Sequence, residues 1–170
     1  MIRVLVVDDH VIVRHGLRGM LTAEPDLDVV GEAGSGPEAV AMVGVHAPDV
    51  VLMDLRMPGG DGVSATAAIT AGHPATRVVV LTTYDTDADI LRAVEAGAAG
   101  YLLKDCSPAE LTSAIRAAAR GETVLTPSVA ARLVSRMRGP QQETLSPREV
   151  QVLELVAVGH TNAEIGRALQ

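Results

Sequence analysis

Aromatic residues are almost absent from this chain of 170 residues, which has no Phe, no Trp and two Tyr. The apolar residues are instead dominated by 24 Val and 25 Ala, so we expect an aliphatic core. Without aromatic faces, the protein has little surface on which single-stranded nucleic acid bases could stack. Hydrophobic residues still make up 48% of the chain and charged residues 21%, which is typical of globular proteins that bury a core.

Long apolar runs and cysteines are scarce as well. No apolar run approaches the roughly 18 residues that a membrane span requires, and the N-terminus lacks the basic-then-apolar layout of a secretory signal. Cys106 is the only cysteine, which excludes an intrachain disulfide and a thiolate metal site. We therefore expect a cytoplasmic protein that makes no contact with membranes. We expect Cys106 to be a small, neutral and unreactive residue.

Positive charge is also in short supply. Residues 1–121 hold 16 acidic and 9 basic residues, whereas residues 122–170 hold five of each, so the net charge of −7 belongs to the first part. Neither part offers the basic surface that drives nucleic-acid binding through counterion release. We do not expect this chain to bind DNA strongly by itself.

The pattern of residues 1–120 predicts five alternating strands and helices. Five short apolar runs, three of them nearly continuous Val and Leu, lie at residues 2–7, 27–30, 50–53, 77–81 and 99–103. Segments with helical spacing of apolar residues separate them. This alternation predicts an α/β fold, a doubly wound (βα)₅ parallel sheet with helices on both faces. After Gly121 we expect no further strands, but a linker with a helix at about 126–138 and two more helices.

Helix starts are marked by a Ser or Thr followed three residues later by an acidic residue, the capping-box pattern. The predicted cap residues are Ser35, Thr86, Ser107, Ser146 and Thr161.

Chemistry-bearing side chains follow four of the five predicted strands. They are Asp8 and Asp9, Asp54, Thr82 and Thr83, and Lys104. Because the carboxyl ends of parallel strands meet at one edge of the sheet, we expect these side chains to converge there. A lone Asp after a strand is ordinarily a turn or cap residue, so it is the joint pattern that indicates a site.

Clustered carboxylates favour a divalent cation, and oxygen ligands favour Mg²⁺. One carboxylate could then attack a phosphoryl group to form an aspartyl-phosphate, while an amine and a hydroxyl neutralise the phosphoryl oxygens.

Four motifs lie at the ends of the predicted strands: Val4-Leu5-Val6-Val7-Asp8-Asp9-His10, Asp54-Leu55-Arg56-Met57-Pro58-Gly59-Gly60-Asp61-Gly62, Leu81-Thr82 and Tyr101-Leu102-Leu103-Lys104. With these motifs, the first 120 residues resemble the receiver domain of two-component response regulators. The resemblance implies a flavodoxin-like strand order 2-1-3-4-5. It also implies that Asp54 is the phosphoacceptor, with a sensor histidine kinase as the phosphoryl donor and homodimerisation on phosphorylation.

The same resemblance implies further site residues. The Mg²⁺ site would be formed by Asp8, Asp9, Asp54 and the backbone carbonyl of Arg56, with Asp9 a direct ligand and Asp8 acting mainly through the waters of the ion. Thr82 and Lys104 would bind the phosphoryl group, and Tyr101 would be an aromatic switch that turns inward. Thr83 stands where the family often has a smaller residue and could narrow the access to Asp54. His10 could approach the metal, although a role at the start of a helix is the expectation.

The C-terminal residues 145–153 and 159–166 resemble the start of a LuxR-type helix-turn-helix domain, as in NarL/FixJ regulators. The match reaches only the first two helices, so we expect the recognition helix to be absent from this chain. DNA binding is therefore expected of a full-length parent and not of these 170 residues. The expected domains are a receiver at 1–120, a linker at 121–143 and part of the helix-turn-helix domain at 144–170.

Two other functions stay open at this point. One is a stand-alone receiver that acts through protein contacts. The other is a Mg²⁺-dependent aspartyl-phosphate hydrolase, which matches poorly because such enzymes carry an Asp-x-Asp pattern after the first strand. The sequence also leaves open which face dimerises and whether the linker helix packs on the receiver.

Overall fold

Strands and helices alternate along the chain in the computed structural model, which describes residues 1–58, 60–83 and 86–137. The strands are β1 (Ile2–Val7), β2 (Leu27–Ala33), β3 (Val50–Met53), β4 (Arg56–Met57), β5 (Gly60–Asp61), β6 (Arg77–Thr82), β7 (Gly100–Leu103) and β8 (Val124–Leu125). The helices are α1 (Val11–Thr22), α2 (Gly36–His46), α3 (Gly62–Gly72), α4 (Asp87–Glu95), α5 (Pro108–Ala119) and α6 (Pro127–Met137).

The main sheet is parallel and has the order β2-β1-β3-β6-β7-β8. The five predicted strands are present in the expected order 2-1-3-4-5, so the predicted doubly wound fold is confirmed. The central strand β3 is buried along its whole length, because helices cover both faces of the sheet. None of the helices in the described ranges is long and apolar enough to cross a membrane.

Alternate residues of the strands feed two aliphatic cores. Val4 and Val6 of β1 pack on one face of the sheet with residues of α1 and α5, among them Leu21 and Ile115. The other face holds Leu5 and Val7 of the same strand, packed with residues of α2 and α3. The predicted aliphatic core is therefore present.

A third cluster lies at the α4 side of β7 and contains a buried tyrosine. Its buried members are Leu55, Val80, Ile90, Ala93, Tyr101 and Val129. The cluster contains residues of α4, β7 and α6, and it also includes Leu55, the residue next to Asp54.

The predicted caps of three helices are formed. The hydroxyls of Ser35, Thr86 and Ser107 accept hydrogen bonds from the backbone N–H groups three residues later. At Ser107 the Glu110 side chain also accepts from the cap's own N–H, which completes the reciprocal box. The caps predicted at Ser146 and Thr161, like the helix-turn-helix segment as a whole, lie outside the described residues.

The expectation that strands stop after Gly121 is wrong. Val124 and Leu125 form β8, which pairs in parallel with β7 and adds a sixth strand to the sheet. A second addition is the antiparallel pair β4–β5 directly after Asp54. Two-residue strands carry no periodicity of their own, because pairing with a distant neighbour creates them. The compact unit built on this sheet spans Met1–Val134 and so includes most of α6. This helix lies in the segment expected to be helical, at about 126–138.

Candidate functional site

The acidic residues after β1 and β3 are brought together by the register of the two strands. Val7 of β1 is opposite Met53 of β3, and the N–H of Asp54 donates to the carbonyl of Val7 over 2.9 Å. Asp8 and Asp54 therefore follow paired residues at the same edge of the sheet. Both are buried, with 1% and 4% exposure.

Lys104 connects these two carboxylates. Its backbone N–H donates to the Thr82 carbonyl at 2.8 Å, which fixes the end of β7 beside β6. The ammonium Nζ lies 2.6 Å from Asp54 Oδ2 and 2.5 Å from Asp8 Oδ2. Lys104 is also the only lysine in the chain. The structure thus brings together three of the predicted site residues in one charge-assisted network.

The surroundings of Lys104 hold it in the charged form. Burial alone would lower the pKa of this amine, but its hydrogen bonds to Asp54 and Asp8 and the charges of those carboxylates outweigh burial, so that its pKa is raised. At neutral pH the ammonium is fully protonated. It supplies a fixed positive charge where phosphoryl oxygens would need one.

Asp9 and His10 lie beside Asp8 and complete the acidic edge. Single ligand atoms of Asp8, Asp9 and His10 all lie within 4.8 Å of one another. Asp9 Oδ1 is shielded from solvent and accepts no hydrogen bond within the described part of the chain. His10 Nδ1 is 3.0 Å from that oxygen, in a geometry that makes no hydrogen bond. A shielded, unsatisfied carboxylate oxygen fits a cation ligand, and oxygen donors fit Mg²⁺.

His10 itself is the N-cap residue of α1, as expected. Its side chain makes no cap hydrogen bond, but its backbone N–H donates to Asp8 Oδ1 at 2.8 Å. Both oxygens of Asp8 are therefore held by short contacts from protein groups.

The loop after Asp54 depends on a glycine. A Cβ atom on Gly62 would lie 2.1 Å from the Asp54 carbonyl oxygen and 2.8 Å from Leu55 Cα. The Gly62 N–H donates to the Leu55 carbonyl at 3.1 Å. Only glycine permits this approach of backbone to backbone. No local pattern in the sequence indicates that Gly62 packs directly against the backbone of Asp54.

Arg56 ties the same loop to α4. Its guanidinium donates to Asp89 Oδ2 at 2.8 Å, and the Thr86 hydroxyl donates to the same oxygen at 2.7 Å. Hydrogen bonding from Thr86 and then from Arg56 lowers the pKa of Asp89. This link was not foreseen, because ion pairs between residues 33 positions apart leave no local pattern.

The predicted switch residues occupy different environments. Thr82 ends β6 and is 1% exposed, and Tyr101 in β7 is completely buried. Thr83, one residue beyond β6, is exposed. Cys106 is half-buried, and its pKa is raised, chiefly by burial, which agrees with the expected lack of reactivity.

A parallel α/β sheet with carboxylates after β1 and β3, a threonine ending β6 and a lysine after β7 defines a receiver-type protein. The comparisons with known proteins agree. The model of the response regulator receiver domain matches residues 4–116, and that of the luxR family of bacterial regulatory proteins matches residues 143–170. The chain belongs to the response regulators that combine a receiver domain with a LuxR-type DNA-binding domain.

Named relatives point the same way. The transcriptional regulatory protein LiaR of Bacillus subtilis is 45% identical over 174 residues, covering 99% of this chain and 82% of that protein. A LuxR-family two-component response regulator from an Aurantimonas species has a crystal structure with a TM-score of 0.76 and 38% identity, over 81% of this chain and 99% of that one. The structure of the receiver domain of the putative response regulator NarL from Mycobacterium tuberculosis has a TM-score of 0.69 and 40% sequence identity. The match covers 71% of this chain and 98% of that one.

Proposed function

We propose that Asp54 is the phosphoacceptor of this response regulator and that a sensor histidine kinase supplies the phosphoryl group. The observation that carries the proposal is the contact of Asp54 Oδ2 with Lys104 Nζ at 2.6 Å, in a buried site shared with Asp8. In the transfer, a carboxylate oxygen of Asp54 forms a bond to phosphorus. The bond from phosphorus to the donor's imidazole nitrogen breaks, and the electron pair stays on that nitrogen.

The contacts of the two carboxylates favour Asp54 over Asp8 as the nucleophile. Asp8 Oδ1 accepts from the His10 N–H at 2.8 Å, whereas Asp54 Oδ1 has only a long 3.3 Å contact from the Arg56 N–H. An oxygen held by a short hydrogen bond is a poorer nucleophile than one with a weak partner. Asp8 is then a fixed charge, and Asp54 has an oxygen available for attack.

Four groups of this chain would hold Mg²⁺: the side chains of Asp9 and Asp54 and the Arg56 carbonyl, together with Asp8, whose oxygens already have protein partners and which would act mainly through the waters of the ion. The shielded and unsatisfied Asp9 Oδ1 supports this assignment. When bound, the ion would neutralise phosphoryl oxygens that the carboxylates would otherwise repel. Lys104 and the Thr82 hydroxyl would contact the remaining oxygens, and Thr83 at the exposed rim would limit access.

The output follows from the second family match. Phosphorylation adds about 1.5 to 2 negative charges at neutral pH. The new charge would turn Lys104, which already contacts Asp54, and Thr82 toward the phosphoryl group, and it would favour the buried Tyr101. We propose that this state forms a homodimer and controls transcription through the LuxR-type domain, in the cytoplasm where such regulators reach DNA.

The division into a receiver at 1–120, a linker at 121–143 and helix-turn-helix residues at 144–170 is part of the same proposal. The protein would be a phosphoacceptor that assists its own phosphorylation and dephosphorylation, without turnover of other substrates.

The test is labelling by acetyl phosphate with and without Mg²⁺. The wild-type chain should gain one phosphoryl group only when Mg²⁺ is present, and Asp54→Asn should gain none. Asp28→Asn is the matched control, because Asp28 is an exposed carboxylate in β2, and it should label like the wild type. Labelling of Asp54→Asn to the wild-type extent would refute the assignment.

A further inference from the structure

We propose that Val129 is a positioning residue that holds Tyr101 in its buried place, and that the linker segment 124–129 thereby responds to the phosphorylation state. We call this segment the strap; it comprises β8 and the start of α6. The proposal rests on the proposed function of Asp54 and extends it to the linker.

The strap is anchored on β7 by backbone pairing. Val124 is opposite Gly100 and Leu125 is opposite Tyr101, and the Val124 N–H donates to the Ala99 carbonyl at 2.8 Å. A Cβ atom on Gly100 would lie 3.0 Å from the Val124 carbonyl oxygen and 3.1 Å from its Cβ. A glycine inside a strand often marks such a close approach of another backbone. Gly100 thus leaves the space that β8 needs.

The start of α6 then brings Val129 into the buried cluster that contains the tyrosine. The Ala130 N–H donates to the Thr126 carbonyl at 2.9 Å, which opens the helix directly after β8. Val129 is 1% exposed and belongs to the same buried cluster as Tyr101, Ile90 and Ala93. The cluster around Tyr101 is therefore built jointly by residues of α4 and of the strap.

This cluster extends to the phosphoacceptor loop. Leu55, which follows Asp54 directly, is another of its buried members. A rearrangement at Asp54 thus has a short route through packed side chains to Val129. Packed clusters of this kind rearrange between discrete states rather than deforming gradually.

Val129 and residues of α4 belong to the buried cluster that holds Tyr101. Because a close-packed cluster leaves no spare space, an outward movement of the ring would have to rearrange it, and the docked strap opposes that rearrangement. The docked strap therefore favours the buried tyrosine, which is also the state that phosphorylation of Asp54 favours. Two events that favour one state support each other, and the coupling is reciprocal. Loosening the strap must weaken binding at Asp54 by the same factor by which a phosphoryl group tightens the strap.

The experiment measures the affinity of the full 170-residue chain for beryllofluoride, a phosphoryl mimic, in the presence of Mg²⁺. Val129→Ala should weaken this affinity about fivefold, whereas Val129→Ile should keep most of it. Val134→Ala is the matched control, because Val134 lies in the same helix but is half exposed, and it should bind like the wild type. Circular dichroism checks that each variant is folded.

Gly100→Ala tests the strap by a separate route, since the added methyl group displaces β8 without changing Val129. It should weaken beryllofluoride binding as well. In the wild type, beryllofluoride should slow hydrogen exchange at the Val124 amide, and in Gly100→Ala it should not. Wild-type affinity in both Val129→Ala and Gly100→Ala would overturn the proposal for the strap alone. A wild-type chain that does not bind beryllofluoride would overturn the proposed function of Asp54, and the strap proposal with it.

Discussion

Lys104 Nζ lies 2.6 Å from Asp54 Oδ2, and the two side chains belong to residues 50 positions apart. The contact is partly buried at the carboxyl edge of the parallel sheet, where the ammonium also contacts Asp8. The site therefore holds a positive charge between two carboxylates. That arrangement makes the stability of the protein depend on the same groups that we assign to phosphoryl transfer.

Removing the cation should destabilise the fold. Lys104→Met leaves Asp8 and Asp54 facing each other in a buried site, and breaking such a pair by removing one partner costs about 3 kcal/mol of unfolding free energy. Added Mg²⁺ should recover part of this loss in the variant, since the ion can replace the missing charge. Urea unfolding at pH 7, with and without Mg²⁺, measures both effects. Arg3→Met, at an exposed cation in β1, is the control. A Lys104→Met protein as stable as this control would contradict the claim that Lys104 stabilises the fold by neutralising Asp8 and Asp54.

The raised pKa of Lys104 predicts a loss of stability at alkaline pH. A base whose pKa is higher in the folded state contributes its full stabilisation below its unfolded value, about 10.4 for lysine, and loses it as the pH rises through the folded pKa. The urea midpoint of the wild type should therefore fall more steeply above pH ~10.4 than that of Lys104→Met. Parallel curves for the two proteins above pH ~10.4 would show that the ion pair does not stabilise the fold.

Gly62 should tolerate no side chain. Gly62→Ala places a methyl group against the Asp54 and Leu55 backbone, and such overpacking costs about 1–3 kcal/mol or more. The variant should also lose acetyl phosphate labelling, because the loop that carries Asp54 must move. Gly16→Ala is the matched control: Gly16 lies inside α1 with open space around its Cβ position, and alanine there should stabilise by about 0.5–1 kcal/mol. Equal effects of the two changes on thermal unfolding would count against the described loop.

The ion pair between α5 and the turn before β2 predicts an acid dependence. Arg116 donates to both oxygens of Asp26, at 2.8 and 2.7 Å, and this hydrogen bonding lowers the pKa of Asp26 below its usual 3.8. A carboxyl with a depressed folded pKa contributes stability above its unfolded pKa and loses it as the pH falls through the folded one. Arg116→Gln should therefore be less stable than the wild type at pH 5, and the difference should narrow below pH ~4. If the difference in unfolding free energy between the wild type and Arg116→Gln stays constant from pH 5 to below pH ~4, Arg116 stabilises the fold through packing and not through its ion pair with Asp26.

Much of the site could be predicted from the sequence because it follows from local rules. A strand that ends in an acidic pair, next to a strand that ends in Asp54, fixes two carboxylates at one edge as soon as the sheet is parallel. The helix starts at Ser35, Thr86 and Ser107 were equally local, since a cap and its acidic partner are three residues apart.

The remaining features depend on pairs that are distant in the chain. The strand β8 exists because Gly100 leaves room for it, and the burial of Val129 depends on α4 and β7. The Arg56–Asp89 contact joins two segments whose spacing in sequence carries no signal. Each of these features is created by tertiary packing, and no local pattern encodes it.

The central claim is that Asp54 carries the phosphoryl group, and locating that group is its most direct test. The chain is phosphorylated with acetyl phosphate and Mg²⁺, reduced with borohydride, which converts an aspartyl-phosphate to homoserine, and mapped by peptide mass spectrometry. We predict homoserine at Asp54, with Asp8 and Asp9 unchanged. Homoserine at Asp8 or Asp9, or a phosphoryl group that survives reduction on another residue, would contradict the account.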